Sequence, residues 1–536
     1  MINRQESGSA FIEQLSPVSQ NLILVTEVKR RTTQARFQLA GPVSPMDLGV
    51  RELGFELRHS TYRQRAALAR AITREDESTI LYANDPKDTE ALADAFVEGL
   101  PDPPHIDADI LELIEYIRDD VHAEYPLIKC LPHRVAYHYG NMPPLVRARI
   151  EDLCKAGKLT YICCTSTLLQ GVNLPARHII IENPKRGSGK AMERRDFLNL
   201  AGRSGRLLRE FHGNVWCLRP NTWEKKSYEG EPLQEITSAM DAAMEDGGFI
   251  IQRVLKEEAS SGEQEYGEAA LGKVYCDFIR ANLDLNASMW RTETNSSTLA
   301  QTAQLVGSLA ITLPDDVLDA NRSVRPDRLQ GLYDYLSAQV DLSVLLPLRP
   351  GVSGSNDRMS TIIQLVYDKL GNVQNNTYKF HGMLASKWIY NTPMKQIIGE
   401  HVTFLRSQGV ETPTSTIIRN LFKELEEAVR FRLVKYYMAY VSILELILRQ
   451  RGNLDAAGLL EPFHVYLECG ASDRIALNLI ALGLSRSTAL YLRNRFRFAD
   501  GLTPEECLSR LAILDLSAIA IPKLCIRELD ELLGRA

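Results

Sequence analysis

The sequence predicts an α/β fold, a parallel sheet covered on both faces, followed by mainly α-helical domains. Three observations carry this. Short apolar runs alternate with helical stretches from Ser78 to Leu218, the rhythm of a parallel sheet with helical crossovers. Beyond Trp223 the apolar residues recur at helical spacing instead. The 536 residues are 45% apolar and 24% charged, which fits several globular cores and excludes a disordered, collagenous or membrane-embedded chain.

The elements follow in order. Asn21 to Val28 reads as a strand and Tyr62 to Ile72 as a short Arg/Ala-rich helix. Thr79 to Ala83 is an apolar strand, and Asn84-Asp85-Pro86 then caps a helix from Lys87 to Val97. Asp107 to Glu124 reads as a second helix, inserted before the strand Arg134 to Tyr139. A helix from Pro143 to Ala156 closes at Gly157, and strands follow at Leu159 to Cys164 and His178 to Glu182. A helix begins at Phe197, and Asn214 to Leu218 is the last strand. Ala259 to Glu268 and Leu348 to Asn356 are polar, Gly-bearing linker candidates. The longest amphipathic helix spans Ser415 to Arg451, and Thr503-Pro-Glu-Glu506 has the form of a capping box. At roughly 150 residues per domain, the length suggests three or four domains. They divide as an approach segment (1–74), the α/β domain (75–222), a helical domain (223–350) and a helical bundle ending in a helix-loop-helix (351–536).

The formal charge of −6 gives no global nucleic-acid signature, so such a site must be a local basic patch. The nine cysteines form no C-x-x-C pair, which argues against a zinc knuckle or disulfide framework. The amino terminus lacks the apolar core of a signal peptide, and the apolar stretch Leu433 to Leu448 contains Lys435 and Glu445. A cytoplasmic protein is the expectation.

Three segments carry chemistry. His138-Tyr-Gly-Asn-Met-Pro143 is followed by Arg147 and Glu151. Thr165-Ser-Thr-Leu-Leu-Gln-Gly-Val-Asn-Leu-Pro-Ala176 directly follows a buried strand, where ligands of open α/β sheets gather. Its hydroxyls at Thr165 and Thr167 suit phosphate oxygens of a nucleic-acid backbone, although Ser/Thr turns after strands also cap helices. Asn199-Leu-Ala-Gly-Arg-Ser-Gly-Arg206 opens a helix and sets Arg203 and Arg206 three residues apart on one face. Two such guanidinium groups clamp phosphate oxygens bidentately, although alone the pattern is more often a solvated basic helix end.

Together, in this order and context, these segments resemble the second RecA-like domain of superfamily-two (DEAD/DEAH-box) helicases, and most of all the superkiller-type branch. The resemblance implies a RecA-like sheet of the P-loop NTPase superfamily followed by helical accessory domains, one of them winged-helix-like. It implies that Arg203 and Arg206 are arginine fingers. Gly171, Asn173 and Gly202 would approach the nucleotide, and Gly140, Thr165, Thr167 and Arg147 the nucleic-acid backbone. Asn199 departs from the Gln or His usual there, which weakens any contact expected from that position.

A motor of this kind holds ATP and Mg2+ between two RecA-like domains, and the first carries the phosphate loop. No G-x-x-x-x-G-K-[ST] occurs here. Gly187-Ser-Gly-Lys190 is followed by Ala191 and reads instead as a basic loop with Lys185, Arg186, Arg194 and Arg195. The expectation is the carboxyl half of a helicase or translocase. Its partners would be nucleic acid and a phosphate-loop motor domain on another chain or lost, and the isolated chain would lack ATPase activity. The alternative is a non-catalytic nucleic-acid-binding or scaffold protein derived from a helicase. Near the end, Arg486, Arg493, Arg495 and Arg497 give a helix either a phosphate-binding or a merely solvated surface, and Tyr436, Tyr437 and Tyr440 read as core aromatics before base-stacking ones.

Overall fold

The computed structural model describes residues 9–10, 19–25, 61–166, 174, 176–187, 189–205, 212–230, 234–235, 238–371, 376–496, 498–499, 501–513 and 520–535. They fall into two units. The first gathers Met1–Ile236, Met394–Phe422 and Ala520–Ala536, and the second Thr237–Pro393 and Lys423–Ile519.

The first unit holds a six-stranded sheet. Its strands are β1 (Ser19–Val25), β2 (Thr79–Tyr82), β3 (Val135–His138), β4 (Tyr161–Cys164), β5 (His178–Glu182) and β6 (His212–Leu218), in the order β1-β6-β5-β2-β4-β3. Every neighbouring pair is parallel. All carboxyl ends therefore share one edge, and β3 and β4 end in register at His138 and Cys164. The central β2 is buried at all four positions, as a parallel strand covered on both faces must be. β1 comes from the segment 1–74 and pairs with β6 along its whole length.

The crossover helices are α1 (Thr61–Ile72), α2 (Pro86–Val97), α3 (Ala108–Tyr116), α4 (Pro144–Lys155) and α5 (Arg194–Ala201). Asp85 caps α2 by accepting from the Asp88 N–H at 2.8 Å, with Pro86 in the first turn. The helix read over 107–124 is α3 followed by a π turn, Ile117–Val121. Three later helices join this unit: α6 (Met394–Ser407), α7 (Thr414–Glu424) and α8 (Lys523–Leu532). α6 packs on the π turn, and the Phe422 ring meets Tyr125 edge-on at 6.2 Å. α8 docks on α3 through Arg527, which donates to Asp109 at 3.1 Å and Glu112 at 3.3 Å.

The second unit is helical. Of the long helix expected over 415–451, α7 belongs to the first unit, and the second unit holds the π turn Leu425–Leu433 and the helix Val434–Gln450. Tyr436, Tyr437 and Tyr440 are buried in its core. The capping box at Thr503 and Glu506 forms as expected. The linker expected over 259–268 does not. Ser260 and Glu263 form a capping box there, and the helix Ser261–Val274 runs through the segment. Its Gly267 is a packing residue, because an added Cβ would lie 2.5 Å from Val254 Cγ2. The second linker candidate is a loop as far as Gly354, where the helix Ser355–Val366 starts. Among the described residues, no helix is long and apolar enough to cross a membrane.

Candidate functional site

The first two chemical segments meet at the carboxyl edge of the sheet. The register of β3 and β4 brings Tyr139-Gly140 beside Thr165, whose N–H donates to the His138 carbonyl at 3.3 Å. Arg147, in the first turns of α4, donates from Nη1 to the Gly140 carbonyl at 2.8 Å, which joins two of the predicted contact residues. His138 is buried, and its Nε2 lies 3.1 Å from Glu151 Oε1 on α4. That hydrogen bond holds the Glu151 carboxyl below its ordinary pKa, against the opposing effect of burial.

The second and third segments are clasped by their backbones. The Ala176 N–H donates to the Arg203 carbonyl at 3.0 Å, and the Gly205 N–H donates to the Ala176 carbonyl at 2.7 Å, so Ala176 and Ser204 pair as a parallel bridge. Ser204 is fully buried, and its Oγ donates to the Ala201 carbonyl at 2.7 Å. β6 passes this turn so closely that Gly213 has no room for a side chain.

The expectation that Asn199 to Arg206 opens a helix is corrected. α5 starts earlier, at Arg194, and ends at Ala201, with Gly202 as its C-cap and the Gly202 N–H bonded to the Leu198 carbonyl at 2.8 Å. Arg203 therefore sits in the turn after the helix. The bridge with Ala176 and the left-handed backbone at Gly205 (φ 92°) take the chain off the helical path. Arg203 is half-buried, and burial pushes its guanidinium pKa down, with Cys164, the residue before Thr165, acting in the opposite sense. Arg206, Gly171, Asn173 and Thr167 lie outside the described residues.

Two basic surfaces have local partners. Gly187, Gly189 and Lys190, with Ser188 outside the described residues, belong to a short antiparallel pairing in which Lys185 pairs with Ala191 and Arg186 with Lys190. It has no strand-to-helix geometry to cradle a phosphate. The surrounding cations are bound locally: Lys185 to Glu224 at 3.1 Å, Arg186 to the buried Asp196 at 2.7 Å, and Arg194 to the Ser227 carbonyl at 3.2 Å. In the second unit, Arg486 lies over Trp388 at 4.1 Å and donates to the carbonyls of Gly470, Trp388 and Thr392 at 2.6, 2.9 and 2.9 Å. It staples that unit together rather than presenting a charge to phosphate. Arg493 pairs with Asp473 at 3.2 Å, and Arg497 lies outside the described residues.

Comparison with known proteins agrees with this geometry. Residues 108–208 match the helicase conserved C-terminal domain. The chain is 33% identical over 161 residues to DNA polymerase theta of Drosophila melanogaster, which covers 30% of the chain and 8% of that protein. It is 27% identical over 146 residues to anti-bacteriophage protein B of Escherichia coli, which covers 26% of the chain and 19% of that protein. It is 28% identical over 221 residues to the ATP-dependent DNA helicase Hel308 of Methanocella arvoryzae, which covers 39% of the chain and 27% of that protein. The chain thus spans well under half the length of each of these relatives. The parallel sheet with its clasped motifs thus carries a helicase conserved C-terminal domain over residues 108–208, and this RecA-like part, followed by helical domains, is similar to the carboxyl-terminal halves of superfamily-two helicases of the superkiller-type branch.

Proposed function

We propose that this chain supplies the second motor domain of an ATP-dependent nucleic-acid helicase or translocase. Arg203 and Arg206 act as arginine fingers on the nucleotide phosphates. Gly171, Asn173 and Gly202 approach the nucleotide, and Gly140, Thr165, Thr167 and Arg147 track the nucleic-acid backbone. ATP and Mg2+ are the ligands this reading requires, with the phosphate loop and metal-binding carboxylates supplied by a first motor domain outside this sequence. The observation that carries the reading is the clasp of Ala176 to Arg203 and Gly205, because it fixes a guanidinium-bearing turn against the segment that begins at Thr165. A fixed guanidinium stabilises charge on a transferring phosphoryl group, an effect worth about 10³ to 10⁵ in rate.

The test is ATP hydrolysis by the whole chain with a separately produced phosphate-loop domain of a superkiller-type helicase, with and without single-stranded nucleic acid. The expected result is no hydrolysis by the chain alone and a nucleic-acid-stimulated rate in the mixture, lost in Arg203→Ala and Arg206→Ala. Robust Mg2+-dependent hydrolysis by the chain alone, abolished by Arg206→Ala, overturns the need for a second domain. Nucleic-acid binding indifferent to ATP and to both arginines would instead establish a non-catalytic binding or scaffold protein.

A further inference from the structure

Three elements of the first unit converge behind the carboxyl edge of β3. Tyr139, the residue before Gly140, is 1% exposed, and its ring stacks on Tyr137 at 5.7 Å with an interplanar angle of 3°. Its hydroxyl donates to Glu90 Oε1 on α2 at 2.7 Å. Glu90 is 9% exposed, and its other oxygen, Oε2, accepts from Arg419 Nη1 on α7. Arg419 is steadied by Thr416, whose Oγ1 lies 3.3 Å from Nη2. The buried carboxylate therefore has one hydrogen bond from each side, and removing either donor leaves one of its oxygens short of a partner. Charge-assisted bonds of this kind are the strong ones, and they hold geometry because a buried unsatisfied charge is costly.

The same short backbone stretch is pinned from the opposite side. Arg147 bonds the Gly140 carbonyl, and the Tyr139 N–H faces Met142 Sδ at 3.4 Å. The path at residues 139–140 is thus set by α4 on one side and, through Tyr139 and Glu90, by α7 on the other. α7 is far away in sequence, and no backbone ladder joins it to β3. The Arg419–Glu90–Tyr139 chain is the polar link between them among the described residues.

We infer that Arg419 is a positioning residue for nucleic-acid binding. It acts through Glu90 and Tyr139 to hold the Gly140 backbone, and it makes no phosphate contact of its own. This rests on the reading that Gly140 lies along the nucleic-acid path. The salt dependence of binding separates positioning from contact. Losing a cation that neutralises a phosphate lowers the slope of log K against log salt by about one, whereas losing a positioning group weakens binding and leaves the slope intact.

The experiment is fluorescence anisotropy of a labelled single-stranded oligonucleotide with the full chain over a salt series, for wild type, Arg419→Gln, Tyr139→Phe and the double variant. Tyr139→Phe removes one hydroxyl and no charge, so it reports on the relay even if Arg419→Gln folds poorly. Each single variant is expected to bind about five- to tenfold more weakly, the net size of one lost hydrogen bond of ordinary strength. The slopes should be unchanged, and the double variant should be no weaker than the worse single. Wild-type affinity in Tyr139→Phe, a slope reduced by about one in Arg419→Gln, or additive losses would each overturn the relay while leaving the helicase reading standing. No binding by the wild-type chain would overturn both.

Discussion

Ser204 and Gly213 are in backbone contact. A β-carbon on Gly213 would lie 2.3 Å from the Ser204 carbonyl carbon and 2.6 Å from the Gly205 nitrogen. Neither neighbour is a flexible side-chain tip that can swing away. Gly213→Ala should therefore push the Arg203–Gly205 turn off β6 and cost about 1–3 kcal/mol, the range of overpacking in a well-filled core. Thermal unfolding checks this, and an unchanged midpoint would mean that the turn is free to move.

The opposite outcome is expected at Gly331. It is exposed in the interior of the helix Pro326–Ser337, and an added Cβ would meet nothing within 4 Å. Gly331→Ala removes backbone freedom from the unfolded chain at no packing cost, so stability should rise by about 0.5–1 kcal/mol. A urea titration of the two proteins measures the difference, and a fall in midpoint would contradict it.

Arg325 is 3% exposed, and its fork grips Asp327 through Nε at 3.1 Å and Nη2 at 2.7 Å. Its Nη1 donates to the Val254 carbonyl at 2.8 Å and to Glu257 Oε1 at 2.9 Å. Truncation strands these acceptors, so Arg325→Ala should cost about 3–5 kcal/mol. Arg325→Lys keeps the charge but not the planar fork, and only part of the loss should return. Equal stability of the lysine variant and wild type would show that the fork geometry is dispensable.

Acid should weaken the carboxyl edge of the sheet. Hydrogen bonding from His138 holds Glu151 below its ordinary value of 4.5, so the folded state favours the charged carboxylate. The resulting stabilisation is complete above that value and is lost as pH falls through the lowered folded-state pKa. Glu424 repeats the arrangement in the second unit, where its Oε2 lies 3.0 Å from His381 Nε2. Urea midpoints measured from pH 7 down to about pH 3 should fall less steeply for Glu151→Gln than for wild type. Parallel curves would remove His138–Glu151 from the acid response.

Much of the sheet was legible because its strands are short and buried on both faces. Runs such as Ile80-Leu81 and Ile179-Ile180-Ile181 leave no other reading, and Asp85, Gly157 and Thr503 mark boundaries by local chemistry alone. The site was read from order and spacing, and the structure brings Gly140 beside Thr165 and joins the turn of Arg203 to Ala176. Spacing could not show that Arg203 lies beyond its helix, because the bridge from Ser204 to Ala176 pairs residues whose contact no periodicity records. Gly267 misled for the opposite reason. A glycine that admits a neighbouring side chain looks the same in sequence as one that loosens a linker. Sequence could not show that Asp196, Glu224 and Trp388 lie against Arg186, Lys185 and Arg486, because such partners are fixed by tertiary structure.

The first unit draws on three separated stretches of chain, and its last helix, α8, docks on α3 through Arg527. During synthesis the strands from β1 to β6 emerge long before α6, α7 and α8. The face of the insertion that receives these helices must therefore wait, uncovered, while the helical domains are translated. At about 5–20 residues per second, the interval between β6 and α8 is tens of seconds, long enough for a chaperone to compete for that face. Proteolysis or premature termination after Leu218 would then release a sheet with its motifs intact and its docking surface bare, a species expected to aggregate rather than to bind.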